Sequence, residues 1–239
     1  MAKVVAIVQA RMGAKRLPGK VLKDILGKPL LWHLINRLKH AKLIDEIVIA
    51  TSVNRKDKVI VRFAEDNNIG CYAGSELDLV DRLYQVAKQC HADAIVRITG
   101  DCPLVDPVLV DKIINIYLDS EGKLDFVSNA DPRTYPDGLD VVVFSFKALE
   151  KVWNEVKDPY MREMIILNFL EHPETYRLGK VVYVEDLSYL RWTVDFQYDL
   201  DFVRGVYQKL YREDKIFLME DILALLRGNV IGTKKELVR

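Results

Sequence analysis

From Val4 to about Gly122, short apolar runs alternate with segments whose apolar residues recur every three or four positions. Val4–Val8, Ile47–Thr51, Cys71–Ala73 and Ala94–Thr99 read as strands. Between them, Pro29–Ala41 places Leu30, Leu31, Leu34, Ile35 and Leu38 on one helical face, with proline in the first turn. Asp57–Asn67 reads as a second helix that ends near Gly70. Leu79, Val80, Leu83, Val86, Ala87 and Cys90 mark a third, and Ser75 with Asp78 resembles a capping box before it. Asp106-Pro107 opens a fourth, with Val110, Ile113, Ile114 and Tyr117 on one side. Strands separated by helices must cross over to pair, which makes a mostly parallel sheet covered on both faces, a three-layer α/β/α arrangement. Ligands of such sheets lie beyond the carboxyl ends of the strands.

After Gly122 the rhythm changes. Phe126–Ser128 and Val141–Phe144 read as strands around a loop, Ala130–Gly138, rich in Asp and Pro. Ser145–Val156 and a segment opening at Asp158-Pro159 read as helices, Val181–Val184 and Leu190–Val194 as strands, and Leu200–Leu226 as helical. No linker or repeat divides the chain, so a single domain over 1–239 is expected. Its first part runs over about 1–122, and its second part, with the C-terminal helices, over about 123–239.

With 35 Lys plus Arg against 35 Asp plus Glu, the net charge is zero, and no global field points to nucleic acid or an anionic membrane. The three cysteines (Cys71, Cys90, Cys102) form no CxxC pair, and the four histidines (His33, His40, His91, His172) are scattered. Both facts argue against a disulfide framework or zinc site and fit a reducing cytoplasm. The first apolar run stops at Gln9, too short for a signal peptide or membrane span.

Local charge is another matter. The loop after the first strand, Gln9-Ala10-Arg11-Met12-Gly13-Ala14-Lys15-Arg16-Leu17-Pro18-Gly19-Lys20, gathers four cations around two glycines and a proline. Glycines let backbone N–H groups approach a ligand, and Arg and Lys neutralise phosphate, so a nucleoside triphosphate is the expected ligand. A solvated basic loop is the plainer alternative. Asp101 follows the strand Ala94–Thr99 through Gly100, and Asp195 follows Leu190–Val194. Either residue alone suits a turn or helix cap. Together at one sheet edge they suit a divalent ion, since Mg²⁺ takes one or two carboxylates and completes its shell with water and phosphate. Asp137-Gly138 is an ordinary turn signal. Arg162, in Tyr160-Met161-Arg162-Glu163, suits a carboxylate substrate or a surface pair.

Gln9-Ala10-Arg11 followed by Arg16-Leu17-Pro18-Gly19-Lys20 resembles the signature loop of the sugar-activating cytidylyltransferases, the 3-deoxy-manno-octulosonate and acylneuraminate enzymes among them. The spore coat polysaccharide biosynthesis branch is the nearest match. Ile98-Thr99-Gly100-Asp101-Cys102-Pro103-Leu104, Pro136-Asp137-Gly138-Leu139-Asp140-Val141 and Arg191-Trp192-Thr193-Val194-Asp195 carry the resemblance in order to about Leu200.

The resemblance implies a nucleotide-diphospho-sugar transferase fold and a cytoplasmic enzyme that transfers CMP from CTP to a sugar acid for a surface polysaccharide. It implies nucleotide contacts at Ala10, Arg11, Gly13, Arg16, Lys20, Gly74, Arg82, Thr99 and Gly100, and Mg²⁺ on Asp101 and Asp195. Arg16, Lys20 and Asp101 become the catalytic candidates, and Asp137, Asp140, Arg162 and Glu163 the acceptor contacts. A homodimer is left open. Three departures stand out: Ala14 replaces the usual serine, Met164 replaces a histidine after Arg162-Glu163, and Phe196-Gln197-Tyr198-Asp199 replaces the commoner Thr-Pro-Glu-Asp. Other readings stay open at this point: another NTP or a sugar or polyol phosphate acceptor, a glycosyltransferase on the same fold, or a non-catalytic nucleotide binder. Asp101-Cys102-Pro103 lacks the second Asp of a D-x-D donor site, which argues against the glycosyltransferase.

Overall fold

Alternation along the first strand sets the layers. In β1 (Val4–Gln9), Val4, Ala6 and Val8 belong to one core cluster and Val5 and Ile7 to a second, because successive side chains leave a strand on opposite faces. The computed structural model describes residues 2–228. After β1 the chain makes a 3-10 turn at Lys20–Leu22 and a small ribbon of β2 (Asp24–Ile25) and β3 (Lys28–Pro29), then enters α1 (Leu30–Leu38). β4 (Glu46–Ser52), α2 (Lys58–Asp66), β5 (Gly70–Gly74), α3 (Leu79–Gln89), β6 (Ala94–Thr99) and α4 (Pro107–Asp119) continue the alternation. The later chain adds β7 (Phe126–Ser128), β8 (Val142–Ser145), α5 (Phe146–Glu155), α6 (Pro159–Glu163), α7 (Ile165–Leu170), β9 (Leu178–Lys180), α8 (Gln197–Leu210) and α9 (Met219–Gly228).

Seven strands form one sheet in the order β5-β4-β1-β6-β8-β7-β9. β1 lies parallel to β4 and β6, β4 to β5, and β7 to β9, while β8 runs antiparallel to both of its neighbours. Residues of α1, α2, α4, α8 and α9 pack in the first cluster, and residues of α3, α5 and α7 in the second, so helices cover both faces. The first cluster holds residues from Val4 to Leu223, joining early and late chain in one core. In register, Gln9 lies beside Ala50 and Thr99, so β1 and β6 end level, β4 runs two residues further to Ser52, and their following loops meet at one edge.

Several expected elements come out differently. The long first loop contains the 3-10 turn and the β2–β3 ribbon. Asp78, not Ser75, caps α3, its side chain accepting from the Asp81 amide at 2.9 Å. Residues 181–184 are irregular, and the strand lies just before them as β9, which pairs with β7 from Leu178 to Lys180. Leu190–Val194 is also irregular, with one bridge from Arg191 to Asp137, because Asp137 offers only that one pairing position. The expected final helix is two, α8 and α9, broken over 211–218, where the charged run Arg212-Glu213-Asp214 has no apolar face to bury.

Candidate active site

The level strand ends open a cleft of about 370 Å³ between the first loop, the Thr99-Gly100-Asp101 turn and Asp195. Backbone packing builds its floor. The Gly100 amide donates to the Gln9 carbonyl at 2.8 Å, and a Cβ on Gly100 would lie 2.7 Å from that oxygen, so only glycine lets the Asp101 turn close against β1. The Val194 amide donates to the Asp101 carbonyl at 2.9 Å, which docks the late segment beside the early one. The Trp192 and Thr193 amides both donate to the Asp137 carbonyl, at 2.6 and 2.9 Å. Gly138 makes this docking fit: its φ is +110°, and a Cβ there would overlap the Thr193 backbone.

On this floor Lys20 lies between two carboxylates. Its Nζ donates to Asp101 Oδ2 at 2.6 Å and to Asp195 Oδ1 at 2.7 Å. Burial works against the charge on Lys20, but Asp101 and Asp195 outweigh it and hold its pKa above the ordinary lysine value. Burial also pushes Asp195 upward, yet Lys20 and Arg191 outweigh it and hold its pKa below the ordinary aspartate value. Arg16 reaches Asp195 Oδ2 at 3.1 Å and stacks 5.2 Å from the Phe196 ring centre. Phe196 thus engages a candidate phosphate contact by a cation–π interaction that the sequence reading did not anticipate. Asp199 accepts from the Asp195 and Phe196 amides, both at 2.8 Å, and so fixes the Asp195 loop. Cys102, although next to Asp101, is buried and its thiol pKa is pushed well up, which keeps it protonated and chemically quiet.

A chain of ion pairs leads away from Asp195. Arg191 joins Asp195 at 2.7 Å to Asp137 at 3.0 Å and Asp199 at 3.3 Å. Arg133 joins Asp137 at 3.1 Å and grips both oxygens of Asp140 at 2.7 Å. Asp137 and Asp140 therefore stand near the cleft but are already paired with arginines. Arg162 donates to Asp78 at 2.8 Å and to the Trp153 and Val156 carbonyls at 3.1 and 2.8 Å, which ties α6 to α3. All of these contacts are internal to the fold.

Beside the main cleft, a smaller cavity of about 60 Å³ is lined by Gln9, Ala10, Arg11, Thr51, Ser52, Arg82 and Glu163. Glu163 pairs with Arg11 at 3.4 Å. Arg82 donates to the Ser75 and Glu76 carbonyls and holds the β5–α3 loop, with Gly74 at its start. Thr51 Oγ1, Arg82 Nε and Glu163 Oε2 are buried there without a partner among the described residues. Asp57 ties the first loop down, accepting from the Met12 amide at 2.7 Å and from the Ser52 hydroxyl. Gly13 and Lys15 are exposed on the loop above.

Among the described residues no group of three or more His, Cys, Asp or Glu could hold a metal. Asp101 and Asp195 both reach the Lys20 ammonium, however, which brings their oxygens together, and hard oxygen donors of that number would fit Mg²⁺ in place of the ammonium when phosphate and water fill the remaining positions. No described helix is long and apolar enough to cross a membrane.

Comparison with known proteins agrees with this geometry. The chain is 39% identical over 189 residues to the uncharacterized protein MJ1063 of Methanocaldococcus jannaschii, covering 79% of this chain and 74% of that one. It is 29% identical to the spore coat polysaccharide biosynthesis protein SpsF of Bacillus subtilis, covering 98% of both. A cytidylyltransferase structure from Leptospira borgpetersenii superposes with a TM-score of 0.92 at 30% identity, covering 97% of this chain and 96% of that one. A CMP:2-keto-3-deoxy-manno-octonic acid synthetase complexed with CTP shares the fold, with a TM-score of 0.68 at 19% identity over 88% of this chain and all of that one. The family model described as cytidylyltransferase matches residues 5–231, and the chain accordingly belongs to the cytidylyltransferase family and is a nucleotidyltransferase.

Proposed function

We propose that this protein transfers CMP from CTP to a sugar acid, with Mg²⁺, and releases pyrophosphate, supplying an activated sugar for a surface polysaccharide. The observation that carries this reading is the floor of the main cleft, where Lys20, Asp101 and Asp195 meet under a rim of Arg11, Lys15 and Arg16. Such a site holds a triphosphate over a pair of metal-binding carboxylates. Arg16 and Lys20 hold the β and γ phosphates and stabilise the charge that develops on departing pyrophosphate. Asp101 and Asp195 would hold Mg²⁺, which when bound would polarise the α-phosphate. The smaller cavity suits the base. Arg82 Nε is a free donor for cytosine O2 or N3, and Thr51 Oγ1 and Glu163 Oε2 are free acceptors for its amino group. The spore coat polysaccharide role of SpsF and the CTP held by the octulosonate synthetase support a polysaccharide role and CTP respectively.

The test is pyrophosphate release from the purified protein with Mg²⁺, each of the four NTPs, and panels of sugar acids and sugar phosphates. Release with CTP and a sugar acid alone is expected. Equal release with ATP, GTP and UTP would remove the CTP assignment, and release with sugar phosphates alone would remove the sugar acid.

A further inference from the structure

Arg97 is held by Gln9, which lines both cavities, and keeps its two Nη groups without a partner among the described residues. It lies on β6, opposite Ile7 of β1 and Val142 of β8, and two residues before Thr99 at the strand end. Its Nε donates to Gln9 Oε1 at 3.0 Å, and neither Nη makes a hydrogen bond or ion pair among the described residues. Asp101, Asp140 and Glu163 act on it through space without contact. Burial pulls its pKa below the ordinary arginine value, but a guanidinium stays charged at any physiological pH.

Other enclosed arginines show what this one lacks. Arg37 donates to the Val105 and Phe217 carbonyls at 2.7 and 2.6 Å and stacks 4.3 Å from the Phe217 ring centre. Arg82 holds two carbonyls, and Arg162 holds Asp78 and two more. Arg97 is partly buried and neither Nη is paired among the described residues, so its fork is open to an anion that arrives from outside. The phosphates already have Arg16 and Lys20 on the first loop, whereas Arg97 stands on β6 between β1 and β8, with Gln9 in contact and Asp140 acting on it through space, which leaves its fork for the acceptor. Gln9 also sets direction: with Nε engaged, the two Nη groups are left as a fork, the geometry that matches a carboxylate with two parallel bonds.

We infer that Arg97 anchors the carboxylate of the acceptor, with Gln9 holding its Nε. The inference rests on the cytidylyl-transfer reading and takes over the role expected of Arg162, whose Nε and Nη1 are engaged within the fold. It also makes a histidine at position 164 unnecessary for holding the acid.

The test compares wild type, Arg97→Met and Arg97→Lys with CTP and Mg²⁺, using 3-deoxy-manno-octulosonate, N-acetylneuraminate and the methyl ester of each. CTP affinity and melting temperature serve as controls. Arg97→Met is expected to raise KM for the acid about 30- to 300-fold and to leave KM for the ester and CTP affinity within about twofold. Arg97→Lys keeps the charge but not the fork, and recovers about half of that loss on a logarithmic scale. An unchanged KM for the acid in Arg97→Met overturns the inference and leaves cytidylyl transfer standing. So does a wild type that uses acid and ester equally well. If no acceptor turns over, the reaction assignment fails, and calorimetric binding of the same acids decides the rest. Binding to wild type but not to Arg97→Met upholds the carboxylate site, and absence of binding to wild type overturns it.

Discussion

On the β1 side of the cleft, Arg11, Lys15 and Arg16 stand at the rim, and the Arg16 side chain is 61% exposed. On the β8 side, Arg133 and Arg191 are enclosed by Asp137, Asp140, Asp195 and Asp199. The two sides differ in how their cations are balanced. The first loop borrows carboxylates from the later chain, Glu163 for Arg11 and Asp195 for Arg16, in exposed pairs that a polyanion can replace, and Lys15 has no ion pair among the described residues. The later chain neutralises its own charge and uses the resulting lattice to fix positions. Lys20 and Asp195 lie at the boundary and belong to both sides.

That contrast can be broken at its centre first. Asp101→Asn removes half of the carboxylate pair while keeping its shape, and is expected to lower kcat about 10²–10³-fold with the melting temperature nearly unchanged. Near-normal pyrophosphate release from this variant would show that the boundary is not the reacting centre. A second substitution probes the self-neutralised side. Arg191→Met takes one cation away from Asp137, Asp195 and Asp199 at once, leaving Arg133 on Asp137 and Lys20 and Arg16 on Asp195. Because Arg191 is about one-third exposed, the expected stability loss is about 1–2 kcal/mol, with kcat/KM down about tenfold. Chemical denaturation and steady-state kinetics measure the two effects, and a loss of CTP affinity without any loss of stability would reverse the roles given to the two sides.

A smaller effect follows from pH. The folded pKa of Asp195 is depressed, so its contribution to stability is present above the unfolded value near 3.8 and is lost as pH falls through the still lower folded value. Acid unfolding of wild type should therefore steepen below about pH 4 relative to Asp195→Asn, in which this term is absent. Parallel curves would mean that Asp195 is not held by Lys20 and Arg191 in solution. The smallest change is expected on the open side. Ala14→Ser adds a hydroxyl to a loop already rich in phosphate donors, and the KM for CTP should move by less than about threefold.

Much of the open side was legible in the sequence because its signals are local. The strand, the glycines and the cations of the first loop are consecutive, and the periodicities of α1 and α3 need no knowledge of their partners. The docked side was not legible for the same reason. Leu190–Val194 has a strand's composition, but whether it pairs depends on Asp137, and the turn at Gly138 offers one bridge where a ladder was expected. Arg162 looked available because nothing near it in the chain reveals Asp78 or the α5 carbonyls. Arg97 was passed over inside an apolar strand, where one charge among Ala94, Ile95, Val96 and Ile98 was itself the clue. A charged residue in the middle of a buried strand requires a reason in the tertiary structure.

The bridge made by Lys20 also has a history in time. Its two partners lie 81 and 175 residues further along the chain. At about 5–20 residues per second, roughly 10–35 s separate the emergence of Lys20 from that of Asp195 during synthesis. Through that interval Asp101 is the single carboxylate of the pair that Lys20 can meet. The reacting centre is therefore completed late, by a segment that carries Arg191 and Asp195 together, and no amino-terminal fragment that stops short of it holds the site.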